Sequence, residues 1–157
     1  MHCVMKGSQR MKLMIDTNII LNVLLEQEPF FVNSQKVLRL CEEKRSDGFI
    51  TASTITDLFY IIRKATGSVA DTYKIIGHIL NIAKVLPVTG EDVNQAFLKK
   101  AKDFEDCLLA VCAQKNQCDA IVTRNPKDFS TFGITILSPE ELLEMEAARN
   151  NRQVPNI

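Results

Sequence analysis

Two patterns of apolar and polar residues alternate along the chain. Short runs that are apolar on both faces predict buried strands over 12–16, 48–52, 84–88, 119–123 and 134–137. Longer stretches carry apolar residues three and four positions apart, which predicts helices over 18–26, 29–45, 54–66, 68–83, 91–102, 105–116 and 138–149. Strands of this kind, alternating with helices, are typical of a parallel sheet covered on both faces. The predicted fold class is therefore α/β, with three layers.

The 157 residues fit one domain with one core. We expect that domain to span 12–146, after a disordered leader at 1–10 and before a polar, frayed tail at 147–157. Met11 directly precedes the first strand, so the leader can be an optional start. No apolar run approaches the roughly 20 residues that cross a bilayer, and the leader lacks the apolar segment of a secretion signal. The sequence thus predicts a cytoplasmic protein with no membrane partner.

The amino-acid composition excludes fewer kinds of functional site than the motifs do. Lysine plus arginine and aspartate plus glutamate both number 19, so any site for a polyanion must be built locally. The five cysteines are odd in number and form no C-x-x-C pair, which predicts reduced, structural thiols. Neither histidine lies beside an acidic motif, which argues against a catalytic histidine.

Polar residues follow the ends of the predicted strands, and a doubly wound sheet gathers such positions around one crevice. The candidates are Asp16, Asp57, Asp106, Asn125 and Asp128. Carboxylates that converge without a cationic partner repel one another, and a hard divalent cation with oxygen ligands relieves that repulsion. The pattern therefore predicts a Mg²⁺ or Mn²⁺ site, and such ions activate water for phosphodiester hydrolysis.

Two of these acids have an alternative interpretation as parts of helix caps. The segments 54–57 (Thr-x-x-Asp) and 103–106 (Asp-x-x-Asp) match capping spacing, with Ser53 or Thr54 as the predicted cap of the third helix and Asp103 as a predicted cap. Asp16 is harder to explain in this way. It ends an otherwise apolar strand, where a buried polar group needs a partner or a purpose.

The remaining polar candidates also have structural alternatives. The stretch 123–126 can be a simple turn with Asp128 as its solvated acid, while Glu105 and Asp119 are predicted to be surface or strand-edge residues. Basic residues near the inferred rim can hold phosphates or can form a solvated face. They are Lys99, Lys100, Lys102, Arg124 and Lys127.

Four segments, in this order, make the chain resemble the PIN-domain family, which includes VapC-like toxin ribonucleases. They are LMIDTNIILN, TASTITDLFYII, DFEDCLLAVCAQ and DAIVTRNPKDF, and the resemblance covers about residues 12–145. It implies a three-layer α/β/α domain with a five-stranded parallel sheet and a Mg²⁺- or Mn²⁺-dependent endoribonuclease activity on RNA. It also implies a homodimer and inhibition by a small antitoxin protein.

The resemblance assigns roles residue by residue. Asp16 matches the first metal-binding acid, Asp57 takes the place usually held by Glu, and Asp106 matches the third acid. Asn125 stands where many members carry Asp, so Asp128 is the plausible fourth catalytic acid. Residues expected to contact the substrate are Asn18, Thr123, Arg124, Asn125 and Lys127.

Two other functions remain open at this point. A catalytically weak or inactive PIN-like module would bind RNA or a protein partner without needing metal. The segment 16–18 (Asp-Thr-Asn) also resembles, superficially, the aspartyl nucleophile loop of haloacid-dehalogenase phosphatases. That family's second Asp is replaced here by Asn18, and no convincing lysine partner follows.

Overall fold

The computed structural model describes residues 10–129 and 132–153, so the predicted leader, apart from Arg10, and residues 154–157 lie outside the description. The strands are β1 (Lys12–Ile15), β2 (Asp47–Thr51), β3 (Ala83–Leu86), β4 (Ala120–Val122) and β5 (Ile136–Leu137). The helices are α1 (Thr17–Leu24), α2 (Phe31–Glu42), α3 (Ala52–Thr66), α4 (Val69–Ile82), α5 (Gly90–Lys99), α6 (Phe104–Lys115) and α7 (Pro139–Arg152). A short 3₁₀ helix, Pro126–Phe129, precedes β5.

Several boundaries differ from the predicted ones by a few residues, and two of these differences have a local explanation. β3 ends at Leu86, before Pro87, whose nitrogen has no hydrogen to donate to a neighbouring strand. α7 continues to Arg152 rather than ending at Arg149. Both arginines lie in its last turn, where positive charge suits the negative end of the helix dipole. Residues 147–152 of the predicted polar tail are therefore helical.

The five strands form one parallel sheet in the order β3-β2-β1-β4-β5. The chain builds outward from β1 through β2 to β3, then crosses to the other side of β1 for β4 and β5. The order thus reverses between β1 and β4, where Ile15 is in register with Val122. A crevice is expected at this point, beyond the carboxyl ends of the strands.

Alternating residues of β1 point to two separate cores. Leu13 and Ile15 belong to a core shared with α1, α2, α3, α4 and α7, while Met14 belongs to a second core shared with α5 and α6. All three side chains are fully buried. Because helices cover both faces of the sheet, the predicted three-layer architecture is confirmed.

The described cysteines are structural thiols. Cys41, Cys107, Cys112 and Cys118 are all free and buried. Burial raises the pKa of Cys112 and of Cys118 to about 11, so both thiols stay protonated at neutral pH. Among the helices of the described residues, none combines the length and apolar character that crossing a bilayer requires.

Gly48 lies where β2 passes α2 too closely for a side chain. A Cβ atom at this position would lie 2.9 Å from the Cys41 sulfur and 3.3 Å from the carbonyl oxygen of Ile82. We therefore expect Gly48→Ala to lower the free energy of unfolding by about 1–3 kcal/mol through overpacking. Urea denaturation of the purified variant measures this change.

Gly77 supplies the matched control, because nothing lies within 4 Å of the Cβ that would be added there. It is inside α4, where alanine is the better helix former, so Gly77→Ala should raise the stability by about 0.5–1 kcal/mol. Equal effects of the two substitutions would show that the close approach at Gly48 does not limit the fold.

Candidate active site

Asp16 connects β1 to α1 at the point where the strand order reverses. Its backbone N–H donates to the Val122 carbonyl oxygen at 3.0 Å, which continues the pairing of β1 with β4. Asp16 is the N-cap residue of α1, yet its side chain makes no capping hydrogen bond. The carboxylate instead accepts a hydrogen bond of 2.7 Å from the Thr123 hydroxyl at the end of β4. The end of β4 therefore holds the Asp16 side chain across the crevice.

Thr123 is the centre of a small polar network. It is fully buried, and its Oγ1 accepts the Asn18 side-chain amide at 3.4 Å and the Asn125 backbone N–H at 3.2 Å. Asn18 in turn accepts the backbone N–H of Arg124 at 3.3 Å. These bonds fix the start of α1 to the segment that follows β4, so the Asp16 carboxylate is oriented from two directions.

A cavity of about 470 Å³ opens beside this network. Its lining consists of Asp16, Thr17, Asn18, Leu21, Asp57, Tyr60, Ile61, Asp103, Glu105, Asp106 and Asn125. The structure thus brings the three predicted metal-binding acids into one cavity and adds two further carboxylates. Within residues 10–129 and 132–153, no lysine or arginine lines this cavity.

The capping alternative is wrong for Asp57. The N-cap of α3 is Thr51, not Ser53 or Thr54, because the Thr51 hydroxyl accepts the backbone N–H of Thr54 at 3.3 Å. Asp57 therefore lies more than one turn inside α3, beyond any capping position, with its side chain exposed towards the cavity. Helix capping therefore does not explain why an aspartate occupies position 57.

The capping prediction for Asp103 is confirmed, and it leaves a role for Asp106. The Asp103 carboxylate accepts the backbone N–H of Asp106 at 3.0 Å and so caps α6. Both residues also line the cavity, which means that the first turn of α6 presents its acids to Asp16. Helix capping and a site role are compatible here, because the cap uses the backbone of Asp106.

The pKa values indicate that the carboxylates act on one another. Burial raises the pKa of Asp16, hydrogen bonds from the Thr123 hydroxyl and the Thr17 backbone partly oppose this effect, and the charge of Asp103 adds a smaller increase. Burial also raises the pKa of Glu105, followed by the charges of Asp57 and Asp16. Glu105 is exposed, as its sequence context predicted, and it also lines the cavity with the other acids.

The oxygen atoms that line the cavity suit a divalent cation chemically, but they do not form a closed coordination shell. Carboxylate and carbonyl oxygens suit Mg²⁺ and Mn²⁺. Within 10–129 and 132–153, no three acidic, histidine or cysteine side chains lie close enough together to hold one ion. Mg²⁺ usually keeps several water ligands and binds through one or two carboxylates, so the open arrangement fits a hydrated ion.

The other predicted site residues lie around the cavity in different ways. Arg124 directs its guanidinium away from the lining, to the Asn22 side-chain oxygen at 2.8 Å and over the Phe30 ring at 4.7 Å. Asn125 lines the cavity, and Lys127 is exposed on the 3₁₀ helix without being part of the lining. Asp128 belongs to the same 3₁₀ helix, but its side chain is outside the description, so the fourth acid remains a prediction.

One of the predicted rim lysines is engaged elsewhere. The ammonium group of Lys100 lies 3.3 Å from the centre of the Phe97 ring, which is a cation–π contact at the surface. Lys99, Lys100 and Lys102 are all exposed, and none lines the cavity. Their predicted phosphate-binding role therefore requires a substrate that extends beyond the cavity.

A family model described as PIN domain matches residues 12–127 of this chain. The chain belongs to the PIN domain family. This membership sets aside the phosphatase-like interpretation of residues 16–18. It also agrees with the order of the four sequence segments that resemble PIN domains, from the β1–α1 junction to the 3₁₀ helix.

Named relatives of this PIN domain come from both sequence and structure. Ribonuclease VapC1 of Aquifex aeolicus (strain VF5) is 28% identical over 138 residues, a match that covers 85% of this chain and 94% of the relative. The structure resembles that of DNA-bound VapBC from Salmonella typhimurium, with a TM-score of 0.62, 19% identity, and coverage of 82% of this chain and 98% of that one.

A second solved structure supports the same fold assignment. Mycobacterium tuberculosis VapC20, a toxin that cleaves the sarcin-ricin loop, gives a TM-score of 0.59 at 15% identity, covering 78% of this chain and 96% of that one. At such low identity these structural likenesses identify the fold alone. The predicted three-layer PIN fold with its five-stranded parallel sheet is confirmed.

Proposed function

We propose that this PIN domain is a metal-dependent endoribonuclease that hydrolyses phosphodiester bonds in RNA. The observation that carries the proposal is the cavity at the sheet's switch point, whose acidic lining includes Asp16, Asp57 and Asp106 and, among the described residues, no lysine or arginine. Such a concentration of like charges is costly unless a cation occupies it. The ribonuclease name of the Aquifex relative supports RNA as the substrate.

The proposed chemistry divides between the cation and the chain. When bound, Mg²⁺ or Mn²⁺ would orient and acidify water and neutralise charge on the phosphoryl oxygens. Asp16, Asp57 and Asp106 would hold the ion, and the buried Thr123 would keep the Asp16 carboxylate in the required orientation. Asp128 is proposed as a further catalytic acid.

The proposed contacts to RNA follow from position. Asn18 and Asn125 line the cavity and can donate to phosphate oxygens there. Arg124 and Lys127 stand on the segment beyond β4, from which they can attract the phosphate backbone on either side of the cut. Thr123 is too deeply buried to touch RNA, so its contribution passes through Asp16.

The proposal extends to the toxin of a toxin–antitoxin pair, acting in the cytoplasm. VapBC is the name of the complex that the Salmonella structure contains, and it supports a small antitoxin protein as partner. A homodimer is also proposed. Exposed apolar side chains on α5, namely Val93, Phe97 and Leu98, provide a surface that association could cover.

The direct test is a cleavage assay with single-stranded and structured RNAs in Mn²⁺, Mg²⁺ or EDTA. We expect fragments with either metal, none with EDTA, and recovery when metal is restored in excess. The Asp16→Asn variant, purified in the same way, should be inactive in every condition. Equal cleavage by wild type and variant would indicate a contaminating nuclease and would contradict the proposal.

The alternative is a PIN module that binds RNA or a protein partner without cutting. The observation that favours it is the absence, among the described residues, of three side chains close enough to hold one ion. This alternative predicts RNA binding that EDTA does not change and no cleavage in either metal. The same titration and assay therefore separate the two functions.

A further inference from the structure

The lining of the acidic cavity is not acidic throughout. Its lining also includes Leu21 of α1 and Tyr60 and Ile61 of α3, and these three residues are called the apolar wall here. Neither a hydrated cation nor a phosphate gains from contact with apolar surface, because both are strongly solvated ions. The apolar wall therefore fits a different part of the substrate from the one that the carboxylates fit.

Tyr60 is the aromatic member of this wall, and it is available to a ligand. It lies three residues after Asp57, so both side chains are on the same face of α3. The Tyr60 side chain is 70% exposed, and no hydrogen bond or ring contact to it is found among the described residues. Tyr73, the second tyrosine, instead packs its ring edge-to-face against Phe59 at 5.2 Å.

We infer that Tyr60, with Leu21 and Ile61, forms a nucleobase subsite that stacks an unpaired base next to the phosphate to be cut. The inference rests on the proposed ribonuclease function and adds a base-binding subsite to it. Aromatic side chains beside a charged groove bind single strands by stacking, with little sequence preference. In duplex RNA the base faces are already stacked and cannot reach Tyr60. The subsite would therefore engage a base only where the RNA is unpaired.

The segment after β4 provides a positive charge just outside the cavity. The backbone N–H of Arg124 donates to the side chain of Asn18, a lining residue, at 3.3 Å. The Arg124 guanidinium is held by the buried Asn22 and by Phe30, so it provides a fixed positive charge. An RNA strand with one phosphate at the acids and the adjacent base on Tyr60 would reach Arg124 beyond the cavity lining.

The binding test uses the Asp16→Asn background, which is expected to leave RNA intact. A short fluorescently labelled RNA of mixed sequence is titrated by anisotropy, once as a single strand and once annealed to its complement. Tyr60→Leu should weaken single-strand binding by about 5- to 100-fold and leave duplex binding unchanged. Tyr60→Phe should bind like the parent, because the ring is retained. Tyr73→Leu is the control at an exposed tyrosine outside the cavity.

Tyrosine fluorescence gives a second readout that a loss of folding would not imitate. The chain has no tryptophan and two tyrosines, so in the Asp16→Asn/Tyr73→Phe protein all tyrosine emission comes from Tyr60. Saturation with the unlabelled single strand should quench that emission through stacking, whereas the duplex should not. In the Asp16→Asn/Tyr60→Phe protein, emission from Tyr73 should be unchanged by either RNA.

The outcomes separate this inference from the proposed function. If the parent binds single strands but Tyr60→Leu binds equally well and Tyr60 is not quenched, the base subsite is overturned and the ribonuclease proposal stands. If Tyr60→Leu weakens duplex binding as much as single-strand binding, stacking of an unpaired base on Tyr60 is overturned. If the wild type neither cleaves nor binds any RNA, the proposed function fails and the subsite fails with it.

Discussion

Replacing Asp16 or Asp106 with asparagine should lower metal-dependent RNA cleavage by about a thousandfold or more. Loss of residues that only support a metal ligand already costs about 10- to 100-fold, so loss of a ligand itself should cost more. Asparagine keeps the size of the side chain and can still accept the bond that Thr123 donates to Asp16. The lost activity would therefore report the lost negative charge, not a collapsed site.

The loss of activity should not be accompanied by a loss of stability. Burial and the charge of Asp103 raise the pKa of Asp16, so in the absence of metal its ionised form is unfavourable in the fold. We expect Asp16→Asn to be as stable as the wild type in EDTA, or more stable, because one of the clustered charges is removed. Single-turnover cleavage and thermal unfolding, measured on one preparation, test both halves of the expectation.

A matched control for this pair is Asp71→Asn. Asp71 is an exposed aspartate in the first turn of α4 and does not line the cavity. Its substitution should leave cleavage within about twofold of the wild type. A variant of Asp16 or Asp106 that cuts RNA at the rate of the Asp71 variant would remove that residue from the metal site.

The sequence could identify the centre of the site because Asp16 breaks a strong local pattern. A carboxylate that directly follows a buried strand has few structural explanations, and β1 is central in the sheet. The same reasoning placed Asp57 and Asp106 after β2 and at the start of α6. Parallel topology then brings all three to one edge, which is why positions far apart in the chain could be grouped without coordinates.

The residues that the sequence missed are those whose local pattern has an ordinary explanation. Glu105 lies in the first turn of α6, where an acid suits the helix dipole, so nothing in its context points to the cavity. Tyr60 lies in the apolar run of an amphipathic helix, and nothing in the sequence sets it apart from its neighbours there. Only the packing of α3 and α6 against the switch point shows that these side chains share the space beside Asp16.

The start of α3 is a second feature that the sequence pattern alone did not predict correctly. Thr51, Ser53 and Thr54 are all suitable caps, and spacing alone favoured the later ones because of Asp57. The pairing of Thr51 with Leu86 holds β2 in the sheet up to that residue, so the helix begins immediately afterwards. Tertiary pairing, which the sequence pattern does not contain, decides which hydroxyl becomes the cap.

Asp92 should contribute more to stability than any other acid outside the cavity, although its sequence context did not single it out. It is 1% exposed and lies three residues after Thr89, the N-cap residue of α5. Its carboxylate accepts the Thr89 backbone N–H at 2.9 Å and pairs with Lys115 of α6 at 3.1 Å. One side chain thus completes a capping box and joins two helices.

We expect Asp92→Ala to lower the free energy of unfolding by about 2–4 kcal/mol, from the lost cap, the unpaired backbone donor and the space left behind. The matched control is Asp71→Ala, at the corresponding position of α4, where Ser68 caps the helix but the acid is exposed. That change should cost less than about 1 kcal/mol. Urea denaturation at neutral pH distinguishes the two, and equal costs would contradict the role given to burial at Asp92.

The charge of Asp92 should also give part of this stability a defined pH dependence. Burial alone would raise the pKa of Asp92, but the Thr89 N–H and the Lys115 ammonium outweigh it and lower the pKa below the value of about 3.9 in unfolded chains. A lowered folded-state pKa stabilises the fold fully above about pH 5, and this contribution is lost as the pH falls through the folded pKa. The stability difference between wild type and Asp92→Asn should therefore be constant from pH 7 to about pH 5 and shrink below pH 4. A difference that stayed constant down to pH 3 would mean that the hydrogen bonds, and not the charge, hold α5 to α6.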